Sequence, residues 1–138
     1  MRIYEALYKY LQTVSGVTAL VGTRVYDMFA DQGAAYPLIV IEELDDERFH
    51  QLSAKPTATR RPVLFTCVAE GNPKAANDLA DQVYTAIMQE HVAITAAAGS
   101  LTVRSIHYSS RNNTYETDLE TDAKLFACAI EFSIIHDA

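Results

Sequence analysis

From Lys124 to His136 the chain places Phe126, Cys128, Ile130, Phe132 and Ile134 at every second position. Successive strand side chains point to opposite faces, so strict alternation over this length requires a sheet with one core face. Such a face must be covered, and two helical patterns can cover it. Asn72-Pro73 opens the clearer one: Asn72 can cap the free amides, and proline at the first helical position loses nothing by lacking an N–H. Ala76, Leu79, Ala80, Val83 and Ile87 then form one apolar stripe, fading near Glu90. The second pattern covers residues 2–14, where Ile3, Leu7, Leu11 and Val14 recur at helical spacing with Tyr4 and Tyr8 beside them. Ser15-Gly16 is read as its stop, with another turn or two over Val17–Val21 before Gly22.

The remaining strands are short or bracketed by turns. Arg24-Val25-Tyr26 is a brief one, followed by a detour through Asp31-Gln32-Gly33-Ala34-Ala35. Tyr36-Pro37 then launches a strand from Leu38 to about Phe49, because the residue before proline is held out of the helical region. Polar Gln51–Thr59 reads as the tip of a long hairpin, since Val63–Glu70 beyond it is again a strand. Apolar residues on both faces of Val63–Val68 imply a central strand or one covered twice. A further strand is expected over Leu101–Ser109, with Ser110-Arg111-Asn112-Asn113 as a polar phrase after it. Residues 1–138 therefore read as one α+β domain: a mostly antiparallel sheet, two main helices packed on one face, and a long protruding β-hairpin.

The chemistry this chain could carry is limited. With 49% apolar and 21% charged residues, the composition is that of an ordinary globular protein. No apolar run approaches the ~20 residues of a membrane span, so a soluble, intracellular protein without a membrane partner is expected. Cys67 and Cys128 sit in separate apolar runs and read as reduced core thiols. Glu42, Glu43, Asp45, Asp46 and Glu47 crowd one strand end, which suits a solvated strand end better than paired catalytic carboxylates across a cleft. Asp118, Glu120 and Asp122 alternate as in a calcium loop, but Ala123 and Ala129 stand where glycine and glutamate belong. The histidines at 50, 91, 107 and 136 share no ligand spacing, although His107 and His136 could meet across the sheet. No catalytic elbow or phosphate-cradling glycine loop is present in the sequence. The expectation is a protein that is not an enzyme, with no catalytic, cofactor-binding or metal site and no cofactor.

The order of elements carries a resemblance. An N-terminal helix precedes "VTALVGTRVYDMFADQGAAYPLIVIEEL", a polar hairpin, "RPVLFTCVAEG", the helix "NPKAANDLADQVYTAIM" and a closing "RNNTYETDLETDAKLFACAIEFSIIH". In this order they resemble the tail-completion (tail-terminator-like) proteins of long-tailed bacteriophages and prophages. The matching features are Leu20-Val21-Gly22, Arg24-Val25-Tyr26, Pro37 with Ile39–Ile41, and Tyr115-Glu116. The resemblance covers nearly the whole chain, and its force lies in order and spacing together.

It implies a structural morphogenesis protein: a homo-oligomeric ring, typically a hexamer, on the end of the finished tail tube. The ring stops tube growth and offers the surface for head joining. The implied partners are further copies of the chain, the tail tube protein and a head-side neck protein. The implied locations are the host cytoplasm during assembly and then the virion tail or neck. A head-side neck (connector) role is the nearest alternative, and a small α+β ligand-binding domain or enzyme is one from another class. Within a ring the hairpin is a candidate subunit contact, through Glu47, Phe49, Lys55, Arg60 and Arg61. The same charges could instead pair across the hairpin's own strands.

A net charge of −7, with only Lys55, Arg60 and Arg61 locally gathered, disfavours nucleic-acid binding, which needs clustered cations to displace counterions. The expected outcome is no retardation of duplex DNA in a gel shift at submicromolar protein. A salt-sensitive shift would overturn this.

Overall fold

A computed structural model of the chain describes residues 3–31, 33–44, 47–50, 56–89, 94, 102–117 and 124–137, without the side chains of 47–50, 56–58 and 89. The alternating segment is β6 (Lys124–Asp137), and it lies against β4 (Pro56–Glu70) in one antiparallel ladder from Ala58↔Asp137 to Glu70↔Leu125. Register follows from burial. Val63 faces Phe132, Phe65 faces Ile130 and Cys67 faces Cys128, all fully buried on one side. A slip of either strand by one residue would turn its row outward, away from the partner's. Phe65 and Phe132 meet edge to face, with ring centroids 5.6 Å apart.

The full strand order is β1-β2-β4-β6-β5, with β1 Val25–Asp27, β2 Leu38–Glu43 and β5 Val103–Thr117; β3 (Glu47–His50) pairs with β4 beyond β2. Among the described residues three helices accompany this sheet: α1 Ile3–Leu11, α2 Ser15–Val21 and α3 Pro73–Gln89. Helix α3 packs on β4 and β6, as its stripe requires: Ala76, Leu79, Ala80, Val83 and Ile87 are buried with the core rows. Asn72 caps it as expected, accepting the Lys74 N–H at 2.8 Å. Helix α1 is tied in by Tyr10, whose buried hydroxyl donates to the Ala86 carbonyl of α3 at 2.6 Å. The sheet's second face carries half-buried Val40, Leu64, Thr66, Val68, Ala127 and Ala129.

Several boundaries differ from the sequence reading. Gly16 does not stop a helix; α1 ends at Leu11, and Gly16 lies in the first turn of α2. There an added Cβ would meet only the far end of the flexible Gln82 side chain of α3. The strand expected over residues 38–49 is described as two, β2 ending at Glu43 and β3 starting at Glu47. Strand β5 continues through the polar 110–113 phrase to Thr117. It is an edge strand, and the β6 ladder pairs Arg111, Asn112 and Asn113 with Ile130, Ala129 and Cys128 whatever their own strand propensity.

The strands β1 and β2 are parallel, Val25 opposite Ile39 and Asp27 opposite Ile41. Parallel neighbours cannot be joined by a tight hairpin, because the chain must return to the starting end of the first strand. That return is the detour between Asp27 and Leu38. Arg24 braces it: Nε donates to the Pro37 carbonyl at 2.9 Å and Nη2 to the Leu20 carbonyl at 3.2 Å, near the end of α2. Gly22 ends that helix at φ 57, a conformation glycine adopts without strain.

Cys67 and Cys128 are free, buried and directly opposed. Burial first, and then the neighbouring Cys128, push the Cys67 thiol well above its ordinary range, while Arg111 pulls weakly the other way. The folded state thus accepts the neutral thiol. This stabilisation is complete below the unfolded thiol's value near 9.0 and declines as pH rises past it. Both cysteines are therefore expected to ignore a water-soluble disulfide reagent until the chain unfolds, and the melting temperature should fall above that pH. Rapid labelling of folded protein would contradict the assignment.

Candidate interaction surfaces

The residues proposed for the hairpin are distributed as follows. Lys55 lies outside the described residues. Glu47 and Phe49 are on β3, at backbone positions opposite Arg60 and Ala58. Arg60 and Arg61 are consecutive on β4 and so occupy opposite faces. Arg60 Nε donates to the Ser133 hydroxyl of β6 at 2.6 Å, and Arg61 Nη1 to the Leu44 carbonyl at 3.1 Å. From Ala58 to Arg60 β4 is flanked by β3 on one side and β6 on the other, so this part of the return strand belongs to the sheet.

The acidic strand end has a structural use that the sequence reading did not find. Half-buried Glu43 accepts the Tyr4 backbone N–H at 2.7 Å, holding the first turn of α1 to β2. A carboxylate here satisfies an amide that lacks an intrahelical partner and complements the positive end of the helix dipole. His107 and His136 do not meet. Register sets His107 opposite Ser133 and His136 opposite Val103, and the two rings belong to opposite faces. His91 and the Asp118–Asp122 stretch lie outside the described residues, and among the described ones no group of three His, Cys, Asp or Glu is arranged to hold a metal. No described helix is long and apolar enough to cross a membrane.

A polar constellation missed by sequence reasoning lies where β5 meets α3. Arg111 projects from the core face of β5 toward the helix. Its Nη1 donates to Asp81 Oδ1 at 2.7 Å, and its Nη2 to the carbonyl and Oδ1 of Asn77, both at 3.1 Å; its Nε is 3.1 Å from Cys128 Sγ. Asn77 and Asp81 are four apart and share a helix face, so one guanidinium can engage both. The Asp81 hydrogen bond pushes the Arg111 pKa further up, partly opposed by desolvation. A signal was available: an arginine in a polar edge phrase facing an i, i+4 Asn/Asp pair. Only the pairing register could connect them.

Beside this clamp, Tyr84 of α3 and Tyr108 of β5 meet edge to face, with centroids 5.3 Å apart, and each also lies near Phe132. Asp81, Tyr84, Tyr108 and Arg111 line an open recess of about 320 Å³. Large exposed apolar side chains among the described residues fall into two groups. Leu20, Met28 and Phe29 adjoin the β1 edge, whereas Tyr84, Tyr108 and Tyr115 adjoin the β5 edge. Phe29 is 81% exposed.

Replacing Arg111 with alanine should cost about 1–2 kcal/mol, since charge-assisted hydrogen bonds are strong but Asp81 is largely solvated. Arg111→Lys should recover less than half, because an ammonium cannot span Asn77 and Asp81 together. Denaturant unfolding of both variants measures this. Equal stability of all three proteins would show that the clamp is a passive surface contact.

Comparison with known proteins agrees with this architecture. No curated protein matches the sequence. A chain in the structure described as "Virion of native gene transfer agent (GTA) particle" is similar in fold at 14% identity, with a TM-score of 0.67 over 98% of this chain and 94% of that one. The family model described as tail completion protein gp17 matches residues 5–137, so the order and spacing of elements that suggested a tail-completion protein correspond to a whole-chain family match. The chain belongs to the tail completion protein gp17 family, the structural proteins of phage tails.

Proposed function

We propose that this chain assembles into a closed ring, a hexamer by resemblance to tail terminators, that caps the finished tail tube and presents the surface to which the head joins. The observation carrying this reading is the family match over residues 5–137, supported by a similar fold in a phage-like particle. The protein acts by occupying surfaces rather than by catalysis. Its partners are further copies of itself, the tail tube protein and a head-side neck protein. It is made in the host cytoplasm and retained in the virion.

The distribution of surface features fits a ring. A cyclic assembly uses one head-to-tail contact repeated around the axis, so each subunit needs two different, complementary surfaces. The two ends of this strand order carry different exposed side chains. The β3–β4 segment, with Glu47, Phe49, Lys55, Arg60 and Arg61, is a further contact with the neighbouring subunit.

Purified protein should show annular particles in negative stain, with a mass by light scattering that is an integral multiple of 15.3 kDa. Added to polymerising tail tube protein, it should limit tube length. A protein that stays monomeric at high concentration, both alone and with tube ends, would refute the proposal. Lys55→Glu should shift assembly to higher concentration without altering the circular dichroism spectrum, and unchanged assembly would remove the β3–β4 segment from the contact.

A further inference from the structure

The turn after β1 is built at a conformational cost. Met28 lies at φ 66, in the left-handed region that a bulky side chain rarely adopts. The Phe29 N–H donates to the Asp27 carbonyl at 2.7 Å, closing a three-residue turn of the strained, positive-φ γ type. The Met28 N–H is also held, donating to Ile41 of β2 at 2.9 Å. Glycine or asparagine would take this conformation cheaply, yet methionine is present. Strain of this kind persists where surrounding structure enforces it, and it is concentrated at binding and switch segments. Its effect here is to present Phe29 from a turn anchored at both of its amides.

The other end of the sheet provides a matching acceptor. Tyr84 and Tyr108 form an edge-to-face pair, both about two-fifths exposed and backed by the buried Phe132 ring. Their recess is open and aromatic, with Arg111 clamped to Asp81 at its margin. Phe29 cannot fill the recess of its own chain. The strand order separates β1 from β5 by four inter-strand spacings, about 19 Å.

We propose that Phe29 of one copy docks in the Tyr84–Tyr108 recess of a second copy, so that the β1 edge of each subunit meets the β5 edge of the next. This rests on the ring reading and assigns its subunit contact. The contact is heterologous: a surface meets a different surface, leaving an open chain with one unused knob at one end and one unused recess at the other until the ring closes. An exposed aromatic anchor entering a preformed aromatic pocket is the usual chemistry of an energetically dominant interface residue.

The test uses the full chain. Phe29→Ala and Phe29→Asp should keep the parent's circular dichroism and melting temperature, because the side chain is 81% exposed. The concentration for half-assembly, read by light scattering, should rise roughly tenfold or more for Phe29→Ala. Phe29→Asp should remain monomeric. Separately, Phe29→Cys and Tyr108→Cys proteins are treated with a short bismaleimide; the native thiols are buried and silent. Cross-linked dimers should form in the mixture and not in either protein alone.

Two results overturn the assignment while leaving the ring intact. One is normal rings from Phe29→Asp with no cross-link in the mixture. The other is normal rings that fail only to bind tail tubes, which would give Phe29 to a different partner. Self-cross-linking of Phe29→Cys alone would show a symmetric contact and also overturn it. If the parent protein never forms a ring, the ring reading fails and the assignment fails with it.

Discussion

The antiparallel ladder between β4 and β6 is the constraint on which the rest of this molecule depends. Both strands present a continuous buried row to the same side, from Val63 to Cys67 on one and from Cys128 to Ile134 on the other. Their apolar faces leave water together, and a slip of either strand by a single residue would expose its row. Helix α3 packs directly over this pair, and α1 reaches it through the Tyr10 hydroxyl. Strands β2 and β5 extend the sheet on either side, so their positions are inherited from the central pair. The detour, the edge strands and the exposed aromatics all lie at the periphery of this unit.

The edges are where the sequence was opaque. At one edge, β1 is only three residues long and lies parallel to β2, an arrangement that forces the chain back on itself through an irregular segment. Arg24 ties the end of that return, at Pro37, to the end of α2, and Met28 accepts a strained backbone within it. At the other edge, the polar phrase from Ser110 to Asn113 continues as strand because β6 supplies hydrogen-bonding partners throughout. Edge residues are selected for their surroundings as much as for backbone preference, so local propensity is a poor guide there.

Polar residues follow the same division. Glu43 looked like one of several solvated carboxylates, yet it secures the first turn of α1. Arg111 read as part of a polar phrase after a strand, yet it clamps β5 to Asn77 and Asp81. Neither role is encoded by the neighbouring letters. A carboxylate and a guanidinium each find their partners only when strand register brings distant segments within hydrogen-bonding distance. The hydrophobic pattern, which sets that register, therefore assigns polar roles at one remove.

By itself the sequence determined what depends on short periods: the alternation of β6, the apolar stripe of α3, the Asn72-Pro73 helix start and, through them, an α+β domain. Burial acts independently on each residue, and the periods of strand and helix convert it into a one-dimensional signal. The linear order of these elements was also enough to identify the family. Only the tertiary structure decided that β1 runs parallel to β2, that β5 reaches Thr117, and that Leu20, Met28 and Phe29 stand at one edge and Tyr84, Tyr108 and Tyr115 at the other. These are relations between residues far apart in the chain, and they exist only after the central ladder has fixed which segments are neighbours.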